Sequence, residues 1–458
     1  MGTTRVGRGA RRGAFRLAAL AALTTVALAA ATERAGAVQD FPLPTGDAGL
    51  IEATQGPFFG NRGIISWNGA LWFAEEDANN LGRITTDGKI TEIAVPPEIG
   101  NPTYGPFALT AARDDQLWFL AAGAPLEGRV ARLKPDLNVS YSNLGYGRAI
   151  SIAADPAGGA WMAYRDGEGI SHFDPSGTEH YFEEPRYSEP SPITVGGDGA
   201  AWFGDGSSTI KRLTASGDLR NYHASGDGEI VSMTTGPDGA VWYAKFNPGS
   251  GIFGVRSTGG VIGRMSAAGS PQTFEPPVAD VLPSSLIAGP DGALWFTTRA
   301  GEGIGRMTTS GSFSFAALPG GRTADSIAFG PDGALWFTDS RLNRIGRLTQ
   351  AEFRRATAPR KPVILSRSLK AKRKRFVKVR IACPQGPAPC RGKIQVKLGR
   401  KVIAKGSYHM PVGRRSAGAA RFNGRGRALL RKRRSLPVKV VLRPSNTGAV
   451  TRKLRLKR

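Results

Sequence analysis

Short apolar runs separated by polar turns fill most of the chain, and one phrase recurs among them. A turn, usually ending in Gly or Asp-Gly, precedes one or two small or apolar residues, then a Trp and usually a second aromatic residue. The seven tryptophans of this phrase are Trp72, Trp118, Trp161, Trp202, Trp242, Trp295 and Trp336. Their spacings of 46, 43, 41, 40, 53 and 41 residues fit the roughly 40–45 residues of one four-stranded propeller blade.

The best copy of the repeat spans residues 326–349 and predicts three strands. These strands lie at 326–329, around Trp336 and at 345–348. The sixth copy adds a fourth strand at 313–318. Asp-Gly between short apolar runs favours a hairpin, because Gly supplies the positive φ that such turns need. One unit cannot bury its own apolar face, so we predict an all-β fold in which seven blades form a β-propeller over residues 38–350.

Asp238, Asp291 and Asp332 precede the turn Gly in three copies. They could be metal ligands, but an Asp at this place in a turn more often bonds to the local backbone. The tryptophans are expected to pack between blades, since large aromatic side chains carry much of the buried area of a core.

The seventh copy ends after its third strand, at Thr349, and the missing strand is found near the N-terminus. Residues 40–44 resemble the fourth-strand phrases at Phe274 and Phe315. We therefore expect residues 40–43 to become the outermost strand of the seventh blade. This pairing would close the ring and cover an open sheet edge.

Residues 1–37 are predicted to be an export signal. Five arginines precede the apolar stretch 17–31, and Ala35-Gly36-Ala37 supplies a small-residue cleavage site. The stretch is short for a membrane span of about 20 residues, so no transmembrane segment is expected. The Arg11-Arg12 pair leaves the twin-arginine route open, although the residues after it fit that motif poorly and favour the general secretory route.

The net charge of +26 is divided unevenly along the chain. Residues 351–458 contain 34 Lys and Arg and one acidic residue, Glu352, whereas residues 39–350 contain 22 basic and 34 acidic residues. Within the basic part, runs such as 376–381 and 438–442 alternate apolar and basic residues, which is typical of strands with one buried face. We predict a linker at 351–371 and a basic β-sandwich at 372–458.

Cys383 and Cys390 are the two cysteines of the chain, and both lie in the basic module. In an exported protein such a pair is expected to form a disulfide. A metal site is disfavoured because His409 is isolated and no further cysteine is present.

The phrase GPDGALWFT, which occurs at 289–297 and 330–338, is followed by IGRM or IGRL. This combination resembles the streptogramin lyase (virginiamycin B lyase) family. The resemblance implies a seven-bladed propeller that opens a cyclic depsipeptide by Mg²⁺-dependent elimination. It also implies a histidine base eleven residues before a blade Trp and a glutamate three residues after it.

The corresponding positions of this chain carry a different set of side chains. The residues eleven before each Trp are Asn61, Phe107, Ile150, Ser191, Val231, Ser284 and Asp325. The residues three after each Trp are Glu75, Ala121, Tyr164, Asp205, Lys245, Thr298 and Asp339. By the resemblance, we expect a ligand pocket at one mouth of the channel lined by Asn61, Glu75, Tyr164, Asp205, Lys245, Ser284, Asp325 and Asp339. The candidate metal ligands are Glu75, Asp325 and Asp339, and the candidate catalytic residues are Asp325 and Asp339.

Two classes of function follow. In the first, the protein is an exported ligand-binding or scaffold propeller, expected to be a monomer, whose residues 361–458 hold it on anionic cell-envelope polymers. In the second, it is a Mg²⁺-dependent carbon–oxygen lyase with an altered site. The missing blade-entry histidines favour the first class. A calcium-dependent lactonase is disfavoured by the lack of a Glu/Asn/Asp set at matching blade positions, and no motif indicates specific binding of nucleic acid.

Overall fold

The computed structural model describes most of the chain beyond residue 37. The described residues are 38–46, 48, 50, 63–96, 105–112, 115–122, 128–144, 149–164, 169–183, 192–247, 258–277, 281–298, 303–318, 322–357, 361–372, 375–383, 390–410, 414–445 and 447–458. The predicted export signal at 1–37 lies outside them. No helix within the described ranges has the length and apolar character needed to cross a bilayer.

Seven antiparallel four-stranded sheets in the described ranges follow the seven tryptophan repeats. The first blade consists of β2 (Ile64–Trp67), β3 (Ala70–Glu75), β4 (Asn80–Ile84) and β5 (Ile90–Ala94). The second consists of β6 (Pro106–Ala111), β7 (Leu117–Ala122), β8 (Gly128–Leu133) and β9 (Val139–Asn143). The third consists of β10 (Ala149–Ala154), β11 (Ala160–Tyr164), β12 (Ile170–Phe173) and β13 (Glu179–Phe182). The fourth consists of β14 (Ile193–Val195), β15 (Ala201–Gly204), β16 (Thr209–Leu213) and β17 (Leu219–His223).

The last three blades follow the same order. The fifth consists of β18 (Glu229–Thr235), β19 (Val241–Asn247), β20 (Thr258–Met265) and β21 (Pro271–Phe274). The sixth consists of β22 (Pro283–Ala288), β23 (Ala293–Thr298), β24 (Gly303–Thr308) and β25 (Phe313–Ala317). The seventh consists of β26 (Ile327–Phe329), β27 (Leu335–Asp339), β28 (Arg344–Leu348) and the N-terminal strand β1 (Gln39–Pro42). The predicted seven-bladed β-propeller is confirmed.

The innermost strands form a continuous ring. The first strand of each blade contacts the first strand of the next, and β26 contacts β2. In four blades the ring is joined by a serine ten residues before the blade Trp, whose hydroxyl accepts a backbone N–H from the next blade. These bonds are Ile193 N to Ser151 Oγ (3.3 Å), Leu286 N to Ser232 Oγ (3.0 Å), Ile327 N to Ser285 Oγ (3.4 Å) and Gly63 N to Ser326 Oγ (3.1 Å). We did not anticipate this from the sequence, although the recurrence of Ser at that offset could have indicated it.

Each repeat tryptophan is buried against the following blade, as the sequence predicted. Trp336, for example, packs with Ile64 and Phe73 of the first blade. All seven are at most 2 % exposed. The propeller core is therefore a series of interfaces between blades, and no blade can be removed without exposing an indole ring.

Four blades hold their tryptophan with one turn aspartate. In the seventh blade, Trp336 Nε1 donates to Asp332 Oδ1 at 3.1 Å and Arg347 Nε donates to Asp332 Oδ2 at 2.8 Å. The Arg347 guanidinium also lies over the indole ring, 5.5 Å from its centroid. The same aspartate–tryptophan–arginine arrangement occurs at Asp198, Asp238 and Asp291.

This arrangement explains the turn aspartates. The Asp332 Oδ1 atom also accepts the Ala334 N–H at 3.1 Å, so the expected backbone role is confirmed and extended to two side chains. Burial raises the pKa of Asp332, but the hydrogen bonds from Trp336 and Arg347 outweigh burial and hold the pKa below its usual value. The carboxylate is therefore charged at neutral pH and fully engaged within its own blade.

The N-terminal strand closes the ring as predicted. Residues 39–42 of β1 pair antiparallel with 344–347 of β28, and the Phe41 ring stacks on Trp336 at 5.4 Å. Asp40 anchors this strand, because its Oδ1 accepts Arg322 Nε at 2.9 Å and its Oδ2 accepts Arg344 Nη1 at 3.2 Å. The last blade is therefore held by chain segments about 300 residues apart.

The segment assigned to a linker, 351–371, carries regular structure. Helix α1 (Gln350–Thr357) begins with a capping box in which Thr349 Oγ1 accepts the Glu352 N–H and donates to Glu352 Oε2. Phe353 of this helix packs against Trp295 with ring centroids 4.4 Å apart. The contact of Phe353 with the sixth blade could not be predicted from the sequence, because a single Phe gives no periodic pattern.

The basic module is an all-β unit, as predicted, but its strands close into a ring. They are β29 (Val363–Ile364), β30 (Leu369–Lys372), β31 (Phe376–Ala382), β32 (Cys390–Leu398), β33 (Lys401–Met410), β34 (Arg415–Phe422), β35 (Ser435–Pro444) and β36 (Val450–Lys457). Helix α2 (Gly424–Lys432) lies between β34 and β35. The order β31-β30-β36-β35-β32-β33-β34 returns to β31, which makes a seven-stranded barrel rather than two separate sheets. The predicted disulfide between Cys383 and Cys390 is confirmed.

We expect Asp40→Ala to weaken ring closure, because it removes the acceptor of two half-buried arginines. The free energy of unfolding should fall by about 1–3 kcal/mol, the usual range when a hydrogen bond to a charged group is lost. Chemical denaturation of both proteins measures the change. The control is Asp218→Ala, which breaks the exposed pair with Arg220 and should change stability by less than about 0.5 kcal/mol. Equal effects of the two substitutions would contradict the closure role of Asp40.

Candidate functional site

The candidate site consists of equivalent positions at one end of the blades, where each second strand ends. Glu75, Tyr164, Lys245 and Asp339 occupy this position in four blades, and each is at most 1 % exposed. Asp205 and Ser284 are half-buried, and Asn61 lies outside the described residues. Convergence of these side chains on one channel mouth stays a prediction.

Glu75 is a buried carboxyl at the end of β3. Its Oε2 accepts Asn80 Nδ2 at 3.3 Å, whereas its Oε1 has no hydrogen-bond partner among the described residues. Burial, reinforced by the nearby charge of Glu92, raises the pKa of Glu75 to about 8. At neutral pH the group is therefore mostly a neutral acid that can donate a proton.

Asp339 belongs to the network that closes the ring. Its Oδ1 accepts Thr323 Oγ1 at 2.8 Å, and its Oδ2 accepts Arg344 Nε at 3.0 Å. Arg344 in turn reaches Asp40 of the N-terminal strand. Both oxygens are thus engaged and the charge is balanced by a guanidinium, which is a structural arrangement.

Asp325 supports the turn after the second strand of the same blade. Its Oδ2 accepts the Ser340 N–H at 2.8 Å and the Ser340 hydroxyl at 2.7 Å. Because Ser340 follows Asp339 directly, the two aspartates hold one short segment in place. This geometry gives neither residue the free carboxylate that a general base needs.

The remaining members are also tied to their own blades. The Tyr164 hydroxyl donates to Glu179 Oε1 at 2.9 Å, and burial raises the Tyr164 pKa. Lys245 Nζ donates to the carbonyls of Ser225 and Gly226, both at 2.6 Å, and burial lowers its pKa. Asp205 Oδ1 accepts the Ser207 N–H at 3.1 Å.

Three of the seven positions eleven residues before the tryptophans are apolar. Phe107, Ile150 and Val231 are buried, so these blade entries offer no polar side-chain atom. His172, His180 and His223 lie on the third or fourth strands of their blades, away from the blade entries. In the third blade, His172 occupies the position that Arg347 occupies in the seventh. Its ring stacks on Trp161, and its Nε2 lies 2.6 Å from Asp155 Oδ2.

The described carboxylates do not fit a Mg²⁺ site. Mg²⁺ in proteins is bound by one or two charged carboxylates together with waters or phosphates. Both oxygens of Asp339 are engaged by Thr323 and Arg344, and Asp325 Oδ2 is held by Ser340. Within the part of the chain that the structure describes, no three His, Cys, Asp or Glu side chains are placed to hold a metal ion.

Comparison with known sequences gives one family. The profile of the Virginiamycin B lyase family matches residues 97–253 and 247–363. A virginiamycin B lyase of Nocardia farcinica (strain IFM 10152) is 27 % identical over 251 residues, which is 54 % of this chain and 78 % of that protein.

Solved structures agree with this match. A streptogramin B lyase superposes with a TM-score of 0.57 at 26 % identity and covers 68 % of this chain and 96 % of its own. A catalytically inactive histidine-to-alanine variant of virginiamycin B lyase from Staphylococcus aureus, solved with quinupristin, gives a TM-score of 0.56 at 26 % identity. It covers 68 % of this chain and 98 % of its own.

We expect Glu75→Gln to change how stability depends on pH. A carboxyl whose folded pKa of about 8 exceeds its ordinary value of 4.5 stabilises the fold below pH 4.5, and this contribution is lost as the pH rises towards 8. The wild type should lose on the order of 1.4 kcal/mol per pH unit over that window relative to the glutamine variant.

Denaturation midpoints of both proteins between about pH 5 and pH 8 check this expectation. Glutamine keeps the shape and the bond from Asn80, so the variant should fold. Glu275→Gln, which changes an exposed carboxylate, is the control and should leave the pH dependence unaltered. Parallel curves for wild type and Glu75→Gln would show that Glu75 is ionised in the folded protein.

Proposed function

We propose, from the premise that this chain belongs to the virginiamycin B lyase family, that it is an exported ligand-binding or scaffold propeller. Residues 361–458 would anchor it on anionic polymers of the cell envelope, and the propeller channel would take a small ligand. The observation that carries the proposal is the barrel surface. Basic residues alternate outward along its strands, and residues 353–458 contain no Asp or Glu.

The division of charge between the two parts supports an anchoring role. In the propeller, arginines pair with the four turn aspartates that hold a tryptophan and with Asp40 of the ring closure. The single acidic residue of 351–458, Glu352, caps helix α1. The outward cations of the barrel have no acidic side chain in their own module, so an external polyanion is the natural counterpart. The disulfide agrees with an oxidising compartment outside the cytoplasm.

The second candidate is a Mg²⁺-dependent carbon–oxygen lyase acting on a cyclic depsipeptide or a related ester, which membership of the family favours. Against it stand the blade entries, none of which carries the histidine base that the resemblance leads us to expect. The paired state of Asp325 and Asp339 leaves no evident substitute for that base.

We expect the purified protein to open streptogramin B depsipeptides little or not at all. Loss of a general base lowers rates by about 10²–10⁴-fold, so turnover should lie at least that far below a family enzyme in the same assay with Mg²⁺. The S. aureus virginiamycin B lyase is the positive control. Turnover within about tenfold of that control would establish instead that the protein is a carbon–oxygen lyase.

We expect the full chain to bind purified cell envelopes at low salt and to release them as salt rises. Counterion release makes such binding weaken by orders of magnitude between about 50 and 200 mM salt when several anionic groups are neutralised. Co-sedimentation over a salt series measures it, with neutral dextran particles as the control. Absence of binding at low salt, or binding that salt does not alter, would overturn the anchoring proposal.

A further inference from the structure

Four adjacent strands of the barrel, β30, β36, β35 and β32, carry outward-facing basic residues on one side of the barrel. Between them, inward residues such as Val396, Val440 and Leu456 are buried in the core of the module. We call this surface the basic wall. It consists of Lys370, Lys393, Lys397, Lys439, Arg443, Lys453, Arg455 and Lys457.

The strand registers place these cations directly opposite one another. Lys397 pairs with Lys439, and Lys439 pairs with Lys453, so three lysines form a row across three strands. Lys393 likewise faces Arg443. Directly opposed like charges destabilise a sheet, and no Asp or Glu in 353–458 offsets them. An anion laid across the row would remove this repulsion.

On β36 the outward cations Lys453, Arg455 and Lys457 are alternate residues, and their spacing fits a chain that carries its charges at regular intervals. Neighbouring strands lie about 4.8 Å apart, and alternate residues along a strand are about 6.7 Å apart. In a polymer of three-carbon polyols joined by phosphodiesters, successive phosphates are six bonds apart. When extended, that interval is about 7 Å, twice the roughly 3.5 Å spanned by three backbone bonds.

The wall offers charge and no aromatic stacking surface. The Phe, Tyr and Trp residues of 361–458 are Phe376, Tyr408 and Phe422, of which the last two are buried and the first is half-buried; the exposed His409 lies on β33, outside the wall. Proteins that bind single-stranded nucleic acid combine a basic groove with exposed aromatic rings on which bases stack. Bases would therefore add nothing to binding at this surface, and a polymer without rings loses nothing.

From these observations we propose that the basic wall binds a linear polyol-phosphate polymer through its phosphodiesters. The proposal rests on the proposed anchoring function and names the surface and the chemistry of the polymer. Each phosphate meets one or two lysines, which act as point charges, while Arg443 and Arg455 can hold a phosphate through two N–H groups. The polymer relieves the repulsion in the lysine row, so binding and stability of the barrel are coupled.

The test compares two triple variants of the full chain that lose the same charge. The wall variant combines Lys397→Gln, Lys439→Gln and Lys453→Gln. The control variant combines Arg425→Gln, Arg427→Gln and Arg431→Gln, which are exposed on helix α2, outside the four strands of the wall. The probe is a synthetic poly(glycerol phosphate), and affinity is measured over a salt series.

We expect the affinity of the wall variant for the polymer to fall on the order of 10- to 100-fold at low salt, because each substitution removes the usual contribution of one cation near a charged surface. The slope of log affinity against log salt should fall by about 2, since each contacted phosphate contributes about 0.7. The control variant should stay close to the wild type. Without polymer the wall variant should unfold at the same temperature as wild type or higher, because a like-charge row has been removed.

These experiments distinguish a failure of the basic wall from a failure of the anchoring function. Equal losses in both variants mean that net charge alone decides binding, which overturns the wall and leaves the anchoring function standing. No binding of wild type to either envelopes or the polymer overturns both. An oligothymidylate of equal charge that binds more than tenfold tighter than poly(glycerol phosphate) shows that bases contribute, and this contradicts the polymer assignment.

A pH comparison on isolated envelopes identifies the anion. Phosphodiesters stay ionised at about pH 4, whereas carboxylates with a pKa near 4.3 lose more than half of their charge. Binding of the full chain that persists at about pH 4 supports phosphodiesters. Binding that is lost there and restored at pH 7 assigns the partner to a carboxylate polymer and overturns the proposal.

Discussion

The buried indole N–H of each blade is the constraint on which the propeller depends. Seven tryptophans fill the interfaces between blades, and a buried donor without an acceptor costs about 1–3 kcal/mol. In four blades a turn aspartate supplies the acceptor and its second oxygen binds an arginine, which in three of them covers the ring. One carboxylate thus ties the first turn, the second strand and the third strand together. The first blade uses the carbonyl of Trp67 instead.

The second and third blades meet the same constraint less completely. The N–H groups of Trp118 and Trp161 have no acceptor among the described residues. Arg132 lies over the Trp118 ring, 5.0 Å from its centroid, and His172 stacks on the Trp161 ring at 4.2 Å. Each indole of these two blades therefore has a basic side chain over its ring but lacks an acceptor for its N–H among the described residues. The propeller therefore uses some of its charged side chains at the joints between its blades, whereas the barrel directs its cations outward.

Much of this could be predicted from the sequence because the signals are local and repeated. The Trp spacing predicted seven blades, the unattached strand at 40–43 predicted the closure, and the cysteine pair predicted the disulfide. Barrel closure could not be predicted, since it depends on the parallel pairing of Leu369 with Leu456, which no periodicity reveals. The candidate site was reached only by position in the repeat. What Glu75 and Asp339 do there depends on burial and on Arg344, which is a property of the folded ring.

The N-terminal strand gives the chain a particular order of assembly. Its contacts with the seventh blade join residues 304 and 308 apart in sequence. Contacts of such separation form slowly, and a chain is made from its N-terminus. Of the described strands, β1 is thus the first to emerge and the last to be paired, because its partner β28 is not complete until residue 348 has been made. A chain that stops earlier has no ring to complete, so closure distinguishes full-length propellers from fragments.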